Sequence, residues 1–333
     1  MKDKYIGKII RVNLTTNEIN IETLEEKIYR RYLGGSALAS YFLFKKLRPK
    51  VDPLSENNVL VFACSILTGI PIAGTNRYTV AAKSPLTNGF AEAEAGGWWA
   101  PQFKRAGFDV AIITGRAAKP VYLWVHNGEV ELKDASHLTG KTTGEAEKII
   151  RNDLGDKSII FAQTGPAGEN LVRYACIMNN VKHVNGRTGL GAVMGSKNLR
   201  GIAVRGTKEI AIANKEKIKS IAKWFADNWK DNPNSWHLYK HGTAGGLMGL
   251  NIGGILPTDN FNKGTFEGAE DICGESMTEN LLMSSEGCFA CPLRCKRVVK
   301  PNGRFKLDSY YGGPEYETIA AFGSLCGQVS ILK

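Results

Sequence analysis

The sequence predicts an α+β protein, β-rich over residues 1–210 and then entering a mainly helical part over residues 211–333. Three observations predict it. Strand-like apolar runs recur through the first part, separated by turn signals. Helical patterns interrupt them at only two places. Near residue 210 the character changes: Asn214 reads as an N-cap, and Ile218, Ile221, Ala222, Phe225 and Trp229 follow at helical spacing.

The elements follow in order. Tyr5 to Leu14 and Glu18 to Thr23 flank Thr15-Thr16-Asn17 and read as a hairpin. Ala37 to Leu47 is a helix. Asn58 to Ala63, Arg77 to Lys83 and Val110 to Thr114 are strand-like. Val121 to Val125 and Glu129 to Leu132 flank His126-Asn127-Gly128, a strong turn signal. Gly144 to Leu154 is a second helix and Ser158 to Ala162 a further strand. After Asn214 the helical spacing runs to Trp229, and Asp231-Asn232-Pro233 ends that helix.

Composition narrows the class. A chain of 333 residues, 43% hydrophobic, can bury two domains' worth of core. Its seven cysteines are odd in number, and Cys64, Cys176, Cys273 and Cys326 stand singly, so they do not form a disulfide framework. No apolar run reaches the length of a signal peptide or membrane span. These features place the protein in the cytoplasm. The net charge of +11 is spread along the chain, and no nucleic-acid motif accompanies it.

The chemistry concentrates in Gly287-Cys288-Phe289-Ala290-Cys291-Pro292-Leu293-Arg294-Cys295. Three thiolates in eight positions converge on a metal centre rather than fill a core. A second CxxC or a nearby His pair, the usual zinc partners, does not follow. An Fe4S4 cluster with a fourth ligand from elsewhere is the better assignment. The run Gly186 to Asn198 holds four glycines, Arg187 and Lys197; it suits either a tight structural loop or an anion cradle, and fits neither a Walker nor a Rossmann pattern. Arg77 opens a strand, where a guanidinium can reach a buried anion or simply face water. Glu315 and Glu317 in Gly313-Pro314-Glu315-Tyr316-Glu317 suit proton transfer or a helix N-terminus.

Together these segments resemble the tungsten-dependent aldehyde:ferredoxin oxidoreductase family. The likeness also rests on Ile10-Arg11-Val12-Asn13-Leu14, Lys83-Ser84-Pro85-Leu86-Thr87, Ala106-Gly107-Phe108-Asp109 and Gly165-Pro166-Ala167-Gly168-Glu169-Asn170, and it runs from the N-terminus to about Gly327. The resemblance implies a two-sheet, pterin-binding N-terminal domain and helical domains that close over the metal. It implies a tungsten (or molybdenum) bis-pterin, an Fe4S4 cluster, and oxidation of an aldehyde to a carboxylic acid with electrons passed to ferredoxin or another electron-transfer subunit. By position, Arg77, Gly96, Arg187, Thr188, Leu190, Gly191 and Ala192 match pterin contacts. Cys288, Cys291 and Cys295 match cluster ligands, and Glu317 matches a glutamate near the metal. Glu94 stands where relatives can carry an asparagine, so a cation such as Mg2+ would have to separate it from a pyrophosphate.

The resemblance covers roughly the N-terminal half of a family member. It therefore implies that the isolated chain is inactive and that Phe322, Leu325 and Ile331, covered in relatives by the further domains, favour aggregation or association with a complementary C-terminal polypeptide; a homodimer is a separate expectation. Two other classes stay open at this point: a non-catalytic Fe–S and pterin-binding electron-transfer subunit, and a zinc-stapled binding protein.

Overall fold

The structure, a computed structural model, describes residues 7–300 and 306–330. Tyr5 and Ile331 lie outside them. The chain divides into two units, one ending at Ile218 and one beginning at Lys219.

The first unit contains two six-stranded sheets. The first is built from β1 (Lys8–Asn13), β2 (Glu18–Thr23), β3 (Leu60–Cys64), β4 (Tyr78–Lys83), β5 (Phe90–Ala95) and β6 (Val110–Thr114). Helices α1 (Glu26–Tyr32) and α2 (Gly35–Lys46) lie between β2 and β3, and α3 (Trp99–Arg105) precedes β6. The second sheet is built from β7 (Val121–His126), β8 (Glu129–Asp134), β9 (Ile160–Gln163), β10 (Ile177–Asn179), β11 (His183–Asn185) and β12 (Leu199–Arg205). Here α4 (Thr143–Asp153) and the single turn α5 (Pro166–Glu169) flank β9, and α6 (Leu190–Ser196) precedes β12.

The two sheets repeat one topology. The first runs β2-β1-β6-β3-β4-β5 and the second β8-β7-β12-β9-β10-β11. In each, an opening hairpin pairs in parallel with the last strand, and every other pairing is antiparallel. The expected hairpins form with the expected turns, Asn17 and Asn127 taking left-handed φ of 59° and 43°.

Period-two alternation assigns the faces. In β1, β3 and β6, Ile9, Val61, Ala63, Val110 and Ile112 meet Leu38, Ala39, Phe42 and Leu43 of α2. The opposite residues, among them Ile10, Val12, Phe62, Ala111 and Ile113, join one core with Leu123, Val125, Ile202 and Val204 of the second sheet. Trp99 closes this core, and its indole Nε1–H donates to the Ile202 carbonyl at 2.9 Å. On the far side of the second sheet α4 supplies Ala146 and Ile150. Its N-terminus is a reciprocal capping box between Thr142 and Glu145.

Two buried lysines hold this unit. Lys197 Nζ donates to the carbonyls of Glu56, Asn58 and Gly115 at 3.2, 2.5 and 3.1 Å. Lys104 pairs with Asp109, the two side chains 1% and 2% exposed.

Helix α7 (Lys215–Asn228) begins where the sequence places it, Asn214 Oδ1 accepting from Lys217 N at 2.9 Å. It ends earlier than expected. Residues 229–231 tighten into a 3-10 turn, and Asn232-Pro233 starts the next helix instead of only ending the last, Asn232 capping Ser235 N at 3.0 Å. The helical spacing implied a core face, yet no residue of α7 is buried. The second unit continues with α8 (Pro233–His241), α9 (Leu247–Ile252), α10 (Ala269–Ile272) and α11 (Gly274–Asn280). A hairpin of β13 (Leu282–Glu286) and β14 (Lys296–Val299) follows, and then the single turn α12 (Tyr316–Ile319). Its core joins Leu247, Leu256, Ile272, Met277, Val299 and Ile319. No helix among the described residues is long and apolar enough to cross a membrane.

Candidate cofactor and metal site

In the first unit three of the residues singled out for pterin contact, Gly96, Arg187 and Thr188, fall on two equivalent connections, while Arg77 precedes β4 and Leu190, Gly191 and Ala192 open α6. Each repeat has a short link from its fifth strand to the helix before its sixth. In the first repeat that link is Gly96-Gly97-Trp98; in the second it is Gly186-Arg187-Thr188-Gly189. The links sit side by side because β5 and β11 pack together. Asn185 Nδ2 donates to the Ala93 carbonyl at 2.9 Å, and Asn179 Nδ2 to the Gly96 carbonyl at 3.3 Å. Both asparagines are fully buried, and each leaves its Oδ1 without a hydrogen-bond partner.

Strand β5 organises the exposed side of this region. Its residues alternate, with Phe90, Glu92 and Glu94 outward and Ala91, Ala93 and Ala95 inward. The Thr188 hydroxyl donates to the Arg187 carbonyl at 2.6 Å and lies 3.4 Å from the Glu92 carbonyl oxygen, and Arg77 Nε pairs with Glu94 Oε2 at 2.9 Å. Gly96 follows one residue past the strand. Arg77, Thr188 and Gly96 are therefore strung along one strand edge. Arg77 and Glu94 remain about half exposed. The carboxylate that sequence reasoning found awkward beside an anion is thus held by the arginine meant to bind that anion.

The glycine run divides in function. Gly186 and Arg187 are exposed, and Thr188 is half-buried with φ of 68°. Ser84 of the Lys83 to Thr87 motif fixes this turn, its hydroxyl donating to the Thr188 carbonyl at 2.7 Å. From Gly189 onward the run is interior except for the half-buried Gly195 and Asn198. Leu190, Gly191 and Ala192 are fully buried, and Gly191 N already donates to the Ala175 carbonyl at 2.8 Å. A Cβ on Gly191 would lie 2.3 Å from the Cys176 carbonyl oxygen, and one on Gly195 2.0 Å from that of Gly168. These glycines let backbone approach backbone. Of the seven residues matched to pterin contacts, Arg77, Arg187 and Thr188 present side chains to solvent, whereas the Leu190 and Ala192 side chains serve the core.

In the second unit the cysteine triplet is the loop of the β13–β14 hairpin. Glu286 pairs with Lys296, so residues 287–295 span the loop and Cys295 abuts the strand. Ala290 and Arg294, one inside each gap between cysteines, take left-handed φ of 55° and 42° and turn the chain back. Cys291 N donates to the Cys288 carbonyl at 3.2 Å. None of the three cysteines is in a disulfide, and all three are half-buried. Burial, then the charge of Glu315, raises the Cys295 thiol above its ordinary range. Binding a metal there displaces a proton.

Sequence reasoning missed the groups around the loop. Arg297 is buried; its guanidinium donates to the Lys240 carbonyl at 2.9 Å and to that of Arg294, clamping the loop to α8. Burial lowers its pKa, opposed by Cys295 and Glu315. Glu315 pairs with Lys296 at 2.9 Å and accepts from Thr243 Oγ1 at 3.3 Å. Glu317 is exposed in α12. Cys326 is exposed, its thiol donating to the Ala321 carbonyl at 3.1 Å. No sequence signal marked Arg297, and β14 shows no alternation that would have, its residues 297–299 being buried in succession.

Comparison with known proteins settles the family. The sequence model for the aldehyde ferredoxin oxidoreductase N-terminal domain matches residues 9–206, and that for domains 2 and 3 matches residues 220–332. The chain belongs to the aldehyde ferredoxin oxidoreductase family. It is 43% identical over 324 residues to a tungsten-containing aldehyde ferredoxin oxidoreductase of Pyrococcus abyssi, covering 97% of this chain and 53% of that protein. The Pyrococcus furiosus protein of the same description is 40% identical over 322 residues, with 96% and 53% covered. A solved structure, the active-site complex BamBC of benzoyl coenzyme A reductase, superposes with a TM-score of 0.77 at 30% identity, covering 91% of this chain and 48% of that one. The chain thus spans about half the length of the curated relatives it matches. For an aldehyde ferredoxin oxidoreductase family member, the α+β fold with a two-sheet first unit is as the sequence predicted.

Proposed function

We propose that this chain forms the N-terminal portion of an iron–sulfur, tungsten- or molybdenum-pterin oxidoreductase that converts an aldehyde to the carboxylate and passes electrons to ferredoxin or another electron-transfer subunit. The observation that carries the reading is the placement of three cysteines, none in a disulfide, on one hairpin loop in a chain of this family. Soft thiolates suit an iron–sulfur cluster, and Cys288, Cys291 and Cys295 would hold it. The repeated link from fifth strand to helix offers two equivalent places for a two-pterin cofactor. When bound, the metal–pterin group supplies two-electron redox chemistry and the cluster one-electron transfer.

The chain's own residues bind and orient. The Arg187 and Arg77 guanidiniums offer planar donor forks to phosphate oxygens. Engaging Arg77 requires Glu94 to release it, or an Mg2+ ion to bridge Glu94 and the phosphate. Glu317 offers a solvent-facing carboxylate as proton acceptor. Arg297 keeps a fixed positive charge beside the Cys295 thiolate. The activity is proposed for the enzyme with the length its relatives have beyond this chain, supplied by the same or a complementary polypeptide.

Anaerobic reconstitution with iron and sulfide tests the reading, followed by electron paramagnetic resonance, metal analysis for tungsten and molybdenum, and fluorescence of released pterin. An aldehyde panel with a viologen acceptor then tests turnover in the complete enzyme. A protein that takes up zinc in place of iron and retains no pterin would sink the proposal.

A further inference from the structure

Helix α8 carries His237 and His241 four residues apart, a spacing that puts both rings on one face. Helix α11 brings Glu275 to them. One ligand atom from each of the three lies within 4.8 Å of the others. His237 Nε2 stands 3.6 Å from Glu275 Oε1, and the two imidazole centroids are 5.1 Å apart.

We propose that His237, His241 and Glu275 form a mononuclear site for a zinc-class divalent ion, separate from the cysteine loop. Three features of the surroundings support it. First, the tautomer of His241 is set. Thr278 Oγ1 donates its proton to the Gly274 carbonyl at 2.7 Å and lies 3.1 Å from His241 Nδ1, so it accepts from Nδ1–H. That leaves Nε2 with a bare lone pair, and an outer-sphere acceptor on the other ring nitrogen is what metal-bound histidines have. Second, Glu275 Oε2 is buried with no hydrogen-bond partner. A cation satisfies such an oxygen. Third, two glycines permit the convergence. A Cβ on Gly245 would lie 2.6 Å from His237 Nε2, and one on Gly274 2.4 Å from Gly245 N.

Two imidazoles and one carboxylate favour zinc and its neighbours over magnesium or calcium, which take oxygen shells. Without the ion, His237 Nε2–H donates to the Gly245 carbonyl at 2.9 Å. Binding the ion removes that proton and turns the imidazole off the Gly245 carbonyl, towards Glu275 and His241. Three protein ligands leave a fourth position for water, and the His237 side chain, 46% exposed, opens the site to solvent.

The test uses the full chain with Cys288, Cys291 and Cys295 replaced by serine, titrated with Co2+ and then Zn2+. One equivalent of cobalt should bind with ligand-field bands but no sulfur-to-cobalt charge-transfer band, and zinc should displace it. In the unsubstituted chain the same bands should appear after ferrous reconstitution has filled the cysteines, which keeps the test valid if the serine variant folds poorly. His237→Ala or Glu275→Gln should weaken binding by roughly 100-fold or more, and Thr278→Val, which touches no ion, by about 10–100-fold. Far-UV circular dichroism should be unchanged in the His237→Ala variant. No cobalt uptake, a sulfur charge-transfer band only, or uptake that survives His237→Ala with Glu275→Gln would overturn the proposal.

Discussion

Replacing Asp109 by asparagine should destabilise the first unit far more than its isosteric shape suggests. Asp109 belongs to the Ala106 to Asp109 motif, and the structure gives it a structural task. Its Oδ1 pairs with Lys104 Nζ and accepts from Tyr29 Oη at 2.8 Å; its Oδ2 accepts from Lys8 N at 3.0 Å. One carboxylate thus ties β6 to α1, α3 and β1 out of water. The neutral amide would leave the Lys104 ammonium buried without its counter-charge, and removing one partner of a buried pair costs about 3–5 kcal/mol. The lost hydrogen-bond strength at Tyr29 and Lys8 lies within that figure. Urea denaturation followed by tryptophan fluorescence should show a lower midpoint at unchanged slope, because the exposed surface on unfolding is the same. Adding Lys104→Met removes the orphan charge, so the double variant should recover about half the loss, a coupling that a double-mutant cycle reads directly. A loss under about 1 kcal/mol for Asp109→Asn, or strict additivity of the two substitutions, would refute the reasoning.

Further outcomes follow from the same structure. Cys291→Ala should cut the iron retained after anaerobic reconstitution, measured by metal analysis; unchanged iron would show that the hairpin loop is not the cluster site. Arg187→Ala should abolish retention of pterin present in the unsubstituted protein while leaving the melting temperature in place, because Arg187 is exposed. Gly195→Ala should destabilise by about 3 kcal/mol or more, since its Cβ would overlap the Gly168 carbonyl rather than a movable side chain; thermal melting decides it. Arg297→Met should loosen the cysteine loop from α8 and shift the reduction potential of a reconstituted cluster downward by loss of a nearby positive charge, read by redox titration.

Local chemistry was legible in the sequence wherever one short segment carried the whole signal. The hairpins at Asn17 and Asn127, the Asn214 cap, the α2 and α4 helices and the cysteine triplet each needed only near neighbours. The chain's membership in its family was legible in the ordered motifs. Strands β5, β10, β11 and β12 were not. Phe90 to Ala95 reads as alternating alanine and glutamate, and β10 and β11 have three residues each, so pairing with distant strands, not propensity, makes them strands. The repeated topology of the two sheets was equally hidden, because pairing order repeats without repeating residues.

The site divides along the same line. Residue types and spacing nominated the cysteines, and the family resemblance nominated Arg77, Arg187 and Thr188. Only the folded chain shows that Arg77 is held by Glu94, that Leu190, Gly191 and Ala192 are interior, and that Arg297 reaches back to Lys240. His237 and His241 could be read as a helical pair, but Glu275 joins them from another helix. Sequence determines what a segment can do with its neighbours; burial, charge pairing and metal-ligand convergence depend on distances between segments far apart in the chain, and those are decided by packing.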